Sequence, residues 1–182
     1  MNSFLNLIYH WLYSRPIIDL LHLVAFLSFL FLLLRERYGA LRRWRAGCGG
    51  GLAIWLAAVL WITLGGRGEG GWQEPVLIPF RSYYTVFAGG QQELLRSNFM
   101  NMLLFYPAGL LSGAVLPKNW KRWHKVLLIA SVCCALSVSI EFAQYSARLG
   151  LGEADDVIHN TLGALIGATV AMVTQKAILT KE

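Results

Sequence analysis

SIEFAQYSARLGLGEADDVIHN, residues Ser139 to Asn160, decides how this chain is read. It joins two apolar runs, Val126–Ala147 and Val157–Thr174, each long enough to cross a bilayer core as a helix. Yet it sets Glu141, Gln144, Arg148, Glu153, Asp155, Asp156, His159 and Asn160 at their facing ends. Such groups either trim helix ends at a lipid surface or line a site.

Three similar runs lie upstream, Ile17–Leu34, Cys48–Leu64 and Phe99–Leu116. With 182 residues and 56% of them hydrophobic, the chain reads as one domain over 1–182. The expected class is all-α, a polytopic membrane bundle of about five transmembrane helices. A short interfacial helix precedes them, because Tyr9, Trp11 and Tyr13 favour the headgroup level. No basic residue stands before Arg15, so this segment does not read as a cleavable signal. The long connection Gly65–Ser97 holds a glycine-rich opening and PVLIPF. Its prolines exclude a continuous helix, and Trp72 and Tyr83 place it in the interface.

The net charge of +6 does not point to nucleic acid, since the basic residues crowd into short loops between apolar runs. Arg35, Arg37, Arg42, Arg43 and Arg45 form one loop, and Lys118, Lys121, Arg122 and Lys125 another. With Lys176 and Lys181 in the tail, the positive-inside rule puts all of these in the cytoplasm. The N-terminus is then outside and the C-terminus inside. Arg15, Arg67, Arg81, Arg96 and Arg148 fall outside. Cys48, Cys133 and Cys134 sit in apolar runs as small packing residues, with no disulfide framework.

This topology gathers the polar residues in the outer half. Glu141 lies about 23 Å along the fourth span from its inner end, near the outer boundary of a core of about 30 Å. Cys134, Ser137, Glu141, Gln144 and Arg148 recur at helical spacing on one stripe. Asn98, Asn101, Phe105, Ala108 and Ser112 form a second stripe, and Asp156, Asn160, Gly163 and Gly167 a third. Gly109-x-x-x-Gly113 and Gly163-x-x-x-Gly167 are small-residue patterns that would let these helices close on one another. Asp155 or Asp156 would also cap the fifth helix and suit its dipole. His159, four residues after Asp155, could form an acid–His pair, and Asp19 with His22 a similar one. A carboxylate within a span is costly, so Glu141 should face the bundle and be paired.

At these residues the chain resembles a known family. NFMNMLLFYPAGLL, SVSIEFAQ and ADDVIHNTLGALIG, in this order, look like the signature blocks of the VanZ-like membrane proteins. TLGGR (Thr63–Arg67) and LIPF (Leu77–Phe80) fit the same pattern, so the resemblance runs over about residues 55–171. The family usually reads Asp-x-Asp-Asp before its last helix; here the first acid is Glu153, and Arg148 is slightly displaced. The resemblance implies a protein of the bacterial cytoplasmic membrane. Its founding member is linked to low-level resistance to teicoplanin, a lipoglycopeptide antibiotic, and no reaction is implied.

Three functions fit. The first is an envelope protein that binds a lipid headgroup, a cell-wall precursor or an amphiphilic glycopeptide. Its outer pocket would use Arg67, Arg81, Asn98, Asn101, Glu141, Gln144, Asp155, Asp156 and Asn160. The second is a membrane-embedded hydrolase or transferase on a lipid-linked substrate, with Glu141, Asp155 and Asp156 as acid–base groups. The third is a small transporter or assembly partner. No His/Cys metal spacing, P-loop or nucleophile motif is present, so neither metal nor cofactor is expected. LLSGAVL, VLLIASV and LIGATVAMV keep the inner halves apolar, which disfavours a through-path. Binding is the preferred reading.

Overall fold

A computed structural model describes residues 15–38, 42–65, 74–89, 93–117 and 119–179, with side chains at 21–35, 37–38, 43–65, 74–89, 93–117 and 119–174. Each apolar run forms a helix. They are α1 (Arg15–Tyr38), α2 (Arg42–Leu60), α4 (Glu93–Val115), α5 (Arg122–Ser146) and α6 (Ala154–Leu179). Among the described residues, three stretches are long and apolar enough to cross a membrane, Arg43–Gly65, Arg122–Ser146 and Ala154–Thr174. Helix α1 contributes a shorter apolar piece, Leu21–Arg35. In α4, Asn98, Asn101 and Pro107 dilute the run. The expected N-terminal interfacial helix, Arg67, and the tail lysine Lys181 lie outside the described residues, as does the side chain of Asp19.

The long connection is not one continuous helix, and it holds one element that the sequence reading did not name, a helix over Arg81–Gly89, α3. The prolines fall before it, where they do not interrupt its hydrogen bonds. Ser82 and Val86 are buried, whereas Tyr84 and Phe87 are exposed. Such a divided face suits a helix lying along the bundle end.

The centre of the bundle is the pair α4–α6, the most extensive helix contact among the described residues. Glycines cause it. A Cβ at Gly109 would stand 1.8 Å from the Ala164 carbonyl oxygen, and one at Gly163 only 2.0 Å from that of Met102. At Gly167 the distance to the Tyr106 oxygen would be 2.1 Å. Both small-residue patterns therefore bring backbone against backbone. Around this seam Val59, Phe105, Ile129, Cys133, Ile140 and Ala168 close a buried apolar cluster. All three cysteines are free, as packing residues should be.

Polar groups fasten the remaining elements. The Trp55 indole donates to the Leu104 carbonyl at 2.8 Å, in the turn that Pro107 loosens. Helix α2 ends in a π-turn, Trp61–Gly65, and the Gln144 amide donates to its Thr63 carbonyl at 3.0 Å. Arg35, read from sequence as a loop cation, is buried instead. Its Nη1 donates to the Ala171 carbonyl at 2.5 Å and to Thr174 Oγ1 at 2.6 Å, joining the ends of α1 and α6.

Candidate functional site

Helices α2, α4, α5 and α6 run alternately up and down, so the end of α2, the start of α4, the end of α5 and the start of α6 meet at one end. There the inward stripes deliver their polar groups. Ser137, Glu141 and Gln144 of α5 are all buried, as are Asn98 of α4 and Asp155, His159 and Asn160 of α6.

Asp155 organises this end. Its carboxylate accepts hydrogen bonds from the Phe80 N–H, from the Ser82 N–H at 2.8 Å and from the Ser82 hydroxyl. Asn98 Nδ2 donates to the same Ser82 oxygen at 2.8 Å. Asp155, one of the two residues expected to cap α6, caps α3: its carboxylate satisfies amides at that helix's start, across the bundle from its own chain segment. Phe80 adopts a left-handed backbone, φ 61°, a strained state for a non-glycine residue that the Asp155 contact helps to hold.

The acid–His pair takes a different form. His159 Nδ1 lies 2.5 Å from the backbone carbonyl of Asp155, not its carboxylate, and Nε2 lies 2.7 Å from the Tyr83 hydroxyl. A carbonyl only accepts, so Nδ1 donates to it, and in that tautomer Nε2 accepts a hydrogen bond from the Tyr83 hydroxyl. Tyr83 and Ser82 thus tie α3 to α6.

Glu141 anchors the turn between α5 and α6. Its Oε2 accepts the Glu153 N–H at 2.9 Å. That turn also pairs with the incoming connection through one parallel bridge. Val76 N–H donates to the Gly152 carbonyl, and Ala154 N–H to the Val76 carbonyl, both at 2.9 Å. Arg148 closes the end of α5 in a left-handed conformation, φ 57°.

Two hollows flank this bridge. On one side is a groove of about 530 Å³, with Leu77, Pro79, Val138, Phe142, Val157 and Ile158 as apolar wall and Glu141 and Glu153 among its lining. On the other is a smaller pocket of about 160 Å³ that includes Arg81, Ser82, Thr85 and Glu153. Alternation along an extended segment explains the split, since Val76 and Leu77 point to opposite sides.

The site residues read from sequence are therefore distributed. Asn98 and Asp155 share Ser82, Asn160 Nδ2 donates to Ser137 Oγ at 2.8 Å, and Gln144 reaches Thr63. Arg81 is exposed beside the smaller pocket, and Asp156 is half-buried at the start of α6. Asn101 Nδ2, Gln144 Oε1 and Asn160 Oδ1 are buried with no hydrogen-bond partner among the described residues. Sequence reasoning missed Ser82, Tyr83, Thr63 and Ser137 as partners. Ser137 alone carried a signal, its place on the Glu141 stripe. Among the described residues no three His, Cys, Asp or Glu side chains gather as a metal site would require.

Long apolar helices packed through glycine, with polar residues knotted at one end, define a polytopic α-helical membrane protein. The sequence and its signature blocks place it further: the chain belongs to the VanZ/LLP1 family, whose model matches residues 52–175. No curated protein and no solved structure matches the chain.

Proposed function

We propose that this VanZ-family chain crosses the bacterial cytoplasmic membrane five times, N-terminus outside and C-terminus inside, and binds an amphiphile at the outer ends of α4, α5 and α6. The groove of about 530 Å³ carries this reading. Its apolar wall suits an acyl or isoprenoid chain, while Glu141 and Glu153 offer acceptors to a hydroxyl- or amine-bearing headgroup. Membrane lipids, a lipid-linked cell-wall precursor or an acylated glycopeptide share that chemistry. Capture of the last two is how the family's link to teicoplanin would extend to this chain.

Binding is better supported than hydrolysis or transfer. The Asp155 carboxylate is occupied by three donors from the Phe80–Ser82 turn, leaving it poorly placed as an acid or base. Acid–base chemistry would then fall to Glu141 and Asp156.

The test is lipid extraction and mass spectrometry of purified protein, comparing wild type with Val138→Trp. Val138 is exposed on the groove wall, so an indole there should fill the groove without disturbing the core. An amphiphile recovered from wild type and depleted from the variant supports binding; equal recovery sinks it. Orientation is checked separately by cysteine labelling in intact cells. Ala40→Cys and Trp120→Cys should both resist a reagent added outside, and labelling of either reverses the topology.

A further inference from the structure

The opposite end of the bundle raises an electrostatic problem. Lys125, in the first turn of α5, is only 2% exposed. Its ammonium makes no hydrogen bond or salt bridge among the described residues, and its electrostatic neighbours are Arg35, Arg45 and Arg122, all of like charge. Arg35 is itself buried. Arg45 is fixed nearby, with Nε and Nη2 donating to the Val115 carbonyl at 3.1 and 2.6 Å. The salt bridge Arg96–Glu93 lies at the other end and offers no relief. Buried cations require a counter-charge, because desolvation is otherwise uncompensated.

A second observation indicates what brings that charge. A groove of about 170 Å³ opens between α2, α4 and α5, lined by Leu52, Val115, Leu116, Leu128, Ile129 and Val132 among others. Val115 supplies the carbonyl that holds Arg45, and Ile129 lies one helical turn beyond Lys125. The cations therefore sit at one end of an apolar furrow. Free phosphate would use only the charges. A phospholipid uses both.

We infer that this end of the bundle binds an anionic phospholipid, its phosphate among Arg35, Arg45 and Lys125 and one acyl chain along Val115, Leu128, Ile129 and Val132. Basic pockets between helices at a membrane face take anionic headgroups in this way. The site is independent of the groove beside Glu141, which lies at the other end of the same helices.

The experiment is titration of the full chain in detergent, followed by native mass spectrometry, in a Val138→Trp background that blocks the other groove. Phosphatidylglycerol and phosphatidylcholine of identical chains are the probes, with inorganic phosphate as a third arm. Phosphatidylglycerol should bind preferentially, and Lys125→Met and Arg45→Gln should each weaken it about fivefold. Leu128→Trp should weaken both lipids by crowding the furrow. If Lys125→Met misfolds, Arg45→Gln still decides, because the Arg45 side chain is exposed. Equal binding of the two lipids, unchanged phosphatidylglycerol binding in Arg45→Gln, or inorganic phosphate displacing the lipid at equal concentration each overturns the proposal.

Discussion

The α4–α6 seam and the knot around Asp155 hold the same helices together by opposite means. Along the seam, Gly109, Gly163 and Gly167 contribute by lacking side chains, and backbone meets backbone with little room for adjustment. At the knot, the side chains of Asp155, Ser82, Asn98, His159 and Tyr83 do the joining, bonding to one another and to nearby backbone groups across α3, α4 and α6. The difference separates two tasks. The seam fixes helix spacing and tolerates no added volume, whereas the knot positions the Pro75–Gly89 segment over the groove and tolerates no lost partner.

Gly163→Ala should break the seam most severely. Its methyl would collide with the Met102 carbonyl, which cannot rotate away, so the two helices must separate. The expected loss is about 3 kcal/mol or more, seen as reduced folded yield and a lowered Tm in detergent. An unchanged Tm would mean that the close approach is not what holds the helices. Asp155→Ala should act next, stranding two N–H donors and a hydroxyl for roughly 2–3 kcal/mol. Hydrogen exchange should show amides of Phe80 and Ser82 opening while the seam stays protected. If both regions loosen equally, the division of tasks fails.

Glu141→Gln sharpens the comparison. A glutamine carbonyl can still accept the Glu153 N–H, so stability should change by less than about 1 kcal/mol. Amphiphile recovery should nevertheless fall, because the charge facing the groove is gone. Normal recovery at normal stability would remove this residue from the binding role. The smallest effect is expected from Ser137→Ala, which deletes the acceptor for Asn160 Nδ2. Thermal unfolding should register about 0.6 kcal/mol, typical of one interhelical hydrogen bond in a membrane protein.

Much of the seam was legible in the sequence, because both glycine pairs repeat at the helical period within single runs. The inward stripe of Ser137, Glu141 and Gln144 was legible for the same reason. The knot was not. Asp155 reaches Ser82 across a connection whose register no local pattern encodes, so its carboxylate read as a cap for the helix that carries it. The buried cations escaped for a related reason. Arg35 and Lys125 end apolar runs, where positive charge ordinarily marks a loop, and only tertiary packing shows that neighbouring helices enclose them.

The seam also bears on how the protein is made. Its two partners are not consecutive in the chain, since α5 must be completed before α6 exists. During synthesis from the N-terminus, α4 is therefore made with its glycine face uncovered and waits for the last helix to arrive. A chain cut short after α5 would display that bare backbone strip to lipid and to other helices. The final helix thus acts as the closure that distinguishes a finished chain from an unfinished one, and membrane quality control would meet the difference at Gly109.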